Sequence, residues 1–303
     1  MAGQGEGSVK AILYALAANG GIAVAKGVAA VWTGSGAMLA ETIHSAADCG
    51  NQVLLLIGMK RSALPATAQH PLGQGRAMYF WSLIVALLLF SVGGLFSAYE
   101  GVHRLLHPEP VKDPWIAVGV LVVSIVLEAG SLWGALKIIR KQQGTRTFWQ
   151  WFVATRQSEL MVVAGEDIAA LGGLAFALIA LLLAIVTGNP LFDALGSLAI
   201  GVLLIVVAIL IVREVKSLII GESADPLVHT EIELFVAARP EVAEIYNLIT
   251  LQWGNHVVVT VKARMRETAD AAKLIADINV CEAALKQQFP DVSWIFFEPD
   301  DSA

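Results

Sequence analysis

His44 and Asp48 are the pair in this chain whose types and spacing most clearly suggest chemistry. They stand four apart inside an apolar run, so a helix places an imidazole and a carboxylate on one face, one turn from each other. That pair suits a divalent first-row metal ion, zinc above all. Other apolar runs hold Glu128 and the neighbours Glu166 and Asp167. Ionisable groups inside a membrane span are costly, which makes each one a candidate functional residue. Taken alone, His44 also reads as a packed, hydrogen-bonded core histidine, and Glu128 as a structural hydrogen-bonding group. Glu166 and Asp167 are about 100° apart around a helix, so both cannot point straight at one ion. One of them is expected to face the site and the other a neighbouring helix or water.

The elements that must position these groups follow from composition. The chain has 303 residues, 56% hydrophobic and 15% charged, with a mean hydropathy of +0.68. Soluble domains run at about 45–50% apolar and about 25% charged. These values exclude a disordered chain, a nucleic-acid binder and an ordinary cytosolic enzyme. A net charge of −6 offers nothing to a polyanion. Two cysteines, Cys49 and Cys281, exclude a disulfide scaffold and a thiolate zinc cluster.

A helix needs about 20 apolar residues to cross the hydrocarbon core. Six stretches qualify: 9–31, 35–58, 77–99, 115–136, 160–186 and 192–212. The expected architecture is an all-α six-helix transmembrane domain over 1–217, followed by a cytoplasmic α+β domain over 218–303. Residues 1–8 are too short and Gly-rich for a cleavable signal, so the first span is expected to remain. One set of flanks carries Lys10, Lys60, Arg61, Arg76, Lys137, Arg140, Lys141, Arg146, Arg156, Arg213 and Lys216, the other only Arg104 and Lys112. The positive-inside rule then predicts cytoplasmic N and C termini. Lys26, near the outer end of the first span, is expected to snorkel.

Depth tests whether the ionisable groups can meet. Asp48 is twelve residues from Lys60, and Asp167 eleven from Arg156. At 1.5 Å per residue both lie roughly 16–18 Å from the flank, close to mid-bilayer. Glu128, nine residues from Lys137, lies about 13–14 Å deep by the same rule. Asn19 is nine residues from Lys10 and reads as a helix-packing or outer-shell residue. Spans one, two, four and five thus contribute one polar layer. A bound cation or shared protons would relieve the repulsion among its carboxylates.

After Gly221 the pattern changes. Residues 225–238 have helical spacing that Pro240 ends. Residues 242–253 and 256–265 alternate like strands, and Gly254-Asn255 joins them as a hairpin. Residues 269–289 return to a helical period and 292–297 read as a last strand, giving αββαβ. The apolar strand faces suit a dimer interface.

The sequence resembles the cation diffusion facilitator family of metal transporters over almost the whole chain. The run Glu41-Thr42-Ile43-His44-Ser45-Ala46-Ala47-Asp48 and the loop run His70-Pro71-Leu72-Gly73-Gln74-Gly75-Arg76, similar to the family's HPxGxG signature, carry the resemblance. The run Val163-Ala164-Gly165-Glu166-Asp167 resembles the branch of the human zinc transporter nine type. The resemblance implies efflux of zinc or a similar divalent ion in exchange for protons, and a homodimer with ferredoxin-like C-terminal domains. It implies two metal ligands from the second span and two from the fifth. His44, Asp48 and Asp167 match three of those positions, but Val163 stands four before Asp167 where the family has a ligand. Glu166 or Glu128 is then the missing donor, and an oxygen-rich site would also accept manganese, iron or cobalt.

The expected partners are the metal ion as transported substrate, protons as counter-ion, the lipid bilayer and a second copy of the chain, with no nucleic acid and no permanent cofactor. His70 is what remains of a possible histidine pair, with Gln74 where a second could stand, and His229 and His256 read as isolated surface histidines, with metal binding as the alternative. No nucleophilic or ATPase constellation is present, so the chain is expected not to be an enzyme. A rival reading is a non-transporting membrane metal sensor or scaffold. The inner or plasma membrane is preferred over an organellar one.

Overall fold

The computed structural model describes residues 2–268 and 270–302. Side chains are described from residue 16 onward except 17, 18, 142 and 269. Lys10's side chain and the expected helix start at Ala269 lie outside the described residues. The helices are α1 (Ala2–Thr33), α2 (Gly36–Ser62), α3 (Ala77–Leu106), α4 (Pro114–Gln143), α5 (Phe148–Ala154), α6 (Ser158–Thr187), α7 (Leu191–Ile220), α8 (Pro226–Ala237) and α9 (Ala271–Gln288). The strands are β1 (Val242–Trp253), β2 (His256–Met265) and β3 (Val292–Pro299). Among the described residues, four helices are long and apolar enough to cross a membrane: α3, α4, α6 and α7. The stretches 9–31 and 35–58 lie in α1 and α2. Polar groups run along α2, among them Glu41, His44, Asp48 and Asn51, which lowers its apolar character.

The chain divides into two compact units. The first holds residues 1–58, 81–146 and 159–215 and is helical throughout its core. Its helices turn Val, Ile and Trp side chains outward, as at Val123, Val126 and Trp133 of α4, the arrangement expected of a surface bathed in lipid rather than water. Small residues let α3 and α7 meet at backbone distance. A Cβ at Gly101 would collide with the backbone of Leu198, and one at Gly201 with that of Ala98. Within α3 the segment Leu89–Leu95 is π-helical. Asp193, buried near the start of α7, accepts hydrogen bonds from Ser35 Oγ (2.5 Å) and Gly36 N (2.6 Å). It thereby caps the start of α2, whose first N–H groups have no partner within the helix.

The second unit holds residues 59–80, 147–158 and 216–303. Its sheet has the order β1-β2-β3, with β1 and β2 antiparallel and β2 and β3 parallel. The hairpin turns at Gly254, whose φ of +65° favours glycine. Asp225 caps α8 through Leu227 N, with Pro226 at its first position, and Asp270 caps α9 through Ala272 N. Val259, Val261, Ala263, Ile232 and Leu285 fill the core on one sheet face. On the other face Ile249, Thr260 and Phe296 form a cross-strand row, with Ile249 and Phe296 about half exposed. The run 70–76 packs at the hairpin. Arg76 lies 4.2 Å over the Trp253 ring, and the Tyr79 hydroxyl accepts from Gly254 N at 3.1 Å.

Candidate metal centre

Helix α2 presents Glu41, His44, Asp48 and Asn51 at successive spacings of three, four and three, which is one helical face. His44 is fully buried, and its Nε2 lies 3.6 Å from Asp48 Oδ2. Neither His44 nitrogen nor Asp48 Oδ1 has a hydrogen-bond partner among the described residues. Gly93, in the π-helical segment of α3, stands beside the imidazole: a Cβ there would lie 3.9 Å from His44 Nδ1. Insertions of this kind shift which residues a helix turns toward a site.

The two acids of α6 part company. Glu166 is buried and accepts a hydrogen bond from Asn51 Nδ2 at 2.5 Å, which joins it to α2. It is close enough to Asp48 for the two carboxylates to interact electrostatically. Asp167 accepts from Ser131 Oγ of α4 at 3.3 Å and feels the charge of Glu128, three residues before Ser131. By hydrogen bonding, Glu166 joins α2 and Asp167 joins α4, while Asp48 interacts electrostatically with both Glu166 and Glu128. Among the described residues no three His, Cys, Asp or Glu side chains form one metal-sized group. Glu128, Ser131 and Asn19 line a cavity of about 920 Å³ between α1 and α4.

Lys26 corrects the expectation of snorkelling. It is fully buried, and its Nζ pairs with Glu41 Oε2 at 3.1 Å and donates to Ser45 Oγ at 2.8 Å. An acidic partner on the next helix made the inward route better than the path to the interface. Sequence reasoning also passed over Asn51 and Ser131. Their signals were present: Asn51 is seven residues after His44, and Ser131 three after Glu128. Of the other histidines, His229 Nδ1 lies 3.0 Å from Thr250 Oγ1 and His256 Nδ1 2.8 Å from Ser293 Oγ.

Residues 12–220 match the cation efflux transmembrane domain. The chain belongs to the cation efflux family. Within the cation efflux proteins it is of the SLC30A9 type. It is 34% identical over 251 residues to the proton-coupled zinc antiporter SLC30A9, mitochondrial, of Xenopus laevis, covering 82% of this chain and 45% of that one. The human protein of the same name is 32% identical over 251 residues, covering 82% of this chain and 44% of its own. Metal tolerance protein C4 of Arabidopsis thaliana is 32% identical over 220 residues, 71% of this chain and 48% of that one. The chain thus spans about half the length of these relatives. This cation efflux chain combines a membrane helical domain with a C-terminal domain built on a small sheet. The preference for an inner or plasma membrane over an organellar one does not stand, because the SLC30A9 relatives are named as mitochondrial. Composition reports that a chain is in a membrane, but not which membrane it is.

Proposed function

We propose that this chain is a divalent-cation efflux transporter, with zinc as its substrate and protons as counter-ion, and not an enzyme. The observation that carries this reading is the unpaired imidazole of His44 beside Asp48, on a helix face that Asn51 ties to Glu166 of α6. In an apolar bundle such a face is costly unless it binds something. His44, Asp48 and Glu166 form the proposed ion site. Asp167 and Glu128, by the α1–α4 cavity, form a second acidic station that hands ions or protons on. The names of the SLC30A9 relatives, as proton-coupled zinc antiporters, support both substrate and counter-ion. Metal binding needs a neutral imidazole and ionised carboxylates, so loading releases protons and protonation favours release. Six spans from α1, α2, α3, α4, α6 and α7 would alternate access around this site.

The terminal domain, residues 218–303, is proposed as ferredoxin-like from its αββαβ order. The exposed Ile249 and Phe296, on either side of Thr260 in one cross-strand row, support pairing with a second copy. A second substrate reading, manganese, iron or cobalt, draws on the single nitrogen ligand among oxygen donors. Proteoliposomes with an imposed pH gradient and a panel of divalent ions test both. Zinc uptake driven by the gradient, and lost in Asp48→Ala and Glu166→Gln, is the expected result. Wild-type rates in those variants would overturn the site, and equal rates for manganese and zinc would favour the oxygen-rich reading.

A further inference from the structure

Lys26 and Glu41 form a buried ion pair outside the proposed ion site. Both side chains are fully buried, one on α1 and one on α2. A buried ion pair is poor evidence of a stability role, because its desolvation offsets much of the attraction and apolar replacements often serve as well. Its position is more informative. Glu41 lies three residues before His44, about 4.5 Å along the helix axis. Ser45, the other acceptor for Lys26, directly follows His44. The ammonium is near enough for its charge to be felt at His44, Asp48 and Glu128.

Glu41 also reaches α6. Its Oε1 has no hydrogen-bond partner among the described residues and rests against Gly173, where a Cβ would collide with it. One carboxylate thus meets α1 through Lys26 and the backbone of α6 at Gly173, six residues beyond Asp167. Three helices, α1, α2 and α6, thus meet at the Glu41 carboxylate.

We propose that Lys26 and Glu41 are positioning residues whose mutual neutrality sets how tightly the neighbouring site holds its divalent ion. This rests on the reading of His44, Asp48 and Glu166 as the ion site. The sign of each perturbation follows from charge alone. Without Lys26, a bare carboxylate remains one turn from His44 and adds to the pull on a dication. Without the charge on Glu41, a bare ammonium repels it. Removing both charges leaves the site's electrostatics near their starting point.

Two measurements test this: zinc uptake by proteoliposomes, and equilibrium zinc binding by the purified full chain in detergent. Lys26→Met is expected to lower Kd and KM on the order of tenfold and to lower kcat, because release becomes slow. Glu41→Gln is expected to raise Kd and KM on the order of tenfold. The double variant Lys26→Met/Glu41→Gln is expected to bring both within about threefold of the wild type. Single variants that shift KM in the same direction, or that lose kcat alone, would overturn the proposal. So would a double variant no better than the worse single one. If Lys26→Met does not assemble, Glu41→Gln decides: weaker binding supports the proposal, and unchanged or tighter binding overturns it. Binding needs no turnover, so a wild type that transports nothing would refute the transport reading while opposite shifts in Kd still supported the pair's role.

Discussion

Asn51 donates from Nδ2 to Glu166 Oε1 at 2.5 Å, and this one contact turns an acid of α6 toward the helix that carries His44 and Asp48. Asn51→Leu removes the donor and leaves a buried carboxylate unheld. A hydrogen bond to a charged group contributes about 1.5–3 kcal/mol. The KM for zinc is therefore expected to rise roughly tenfold or more in uptake assays, while Asn51→Gln retains part of the affinity. Unchanged KM in Asn51→Leu would show that Glu166 does not depend on this contact.

The crossing of α3 and α7 depends on absent side chains. Gly101 and Gly201 each meet backbone of the facing helix, which has no rotamer to give way. Gly201→Ala is expected to force the helices apart and to lower the thermal midpoint in detergent, at a cost of about 1–3 kcal/mol for overpacking. Gly119→Ala is the comparison, because nothing lies within 4 Å of its would-be Cβ. It is expected to leave the midpoint unchanged or slightly raised.

Asp193 holds both Ser35 Oγ and Gly36 N at the start of α2. Asp193→Ala leaves those donors unsatisfied in a buried place, an expected loss of about 1–3 kcal/mol. Hydrogen exchange should report it locally, with faster exchange in the first turn of α2 than at its centre. Uniform exchange along α2 would argue against the capping role.

In the terminal domain, burial and then the neighbouring Glu241 carboxylate push the Cys281 thiol up to about 11, from near 9. The folded protein should therefore alkylate slowly with iodoacetamide, its rate still rising tenfold per pH unit past pH 9. The sign for stability follows. Between pH 9 and about 11 the unfolded thiol loses its proton while the folded one keeps it, so stability falls as pH rises through that window. Cys281→Ala should remove that part of the slope. A labelling rate that levels off near pH 9 in the folded protein would contradict the buried environment.

Much of the architecture was legible one element at a time. The hairpin strands 242–253 and 256–265 stand where alternation and Gly254-Asn255 placed them, because a period of two and a turn needing positive φ are local properties. The long helices cover the apolar runs for the same reason. The polar face of α2 was equally local, since residues at spacings of three and four must share a side.

What no local pattern contains is which side faces which neighbour. Glu166 and Asp167 are adjacent in sequence, and their spacing says only that they diverge by about 100°. The packing of α6 between its neighbours decided that Glu166 meets Asn51 and Asp167 meets Ser131. Lys26 is the sharpest case. By sequence alone a lysine near a span's end has water within reach, but a buried glutamate on the adjacent helix turns it inward. Residue type and spacing therefore determined the candidate ion-binding groups and the elements bearing them. Helix rotation and close packing, which depend on contacts distant in sequence, decided how those groups pair.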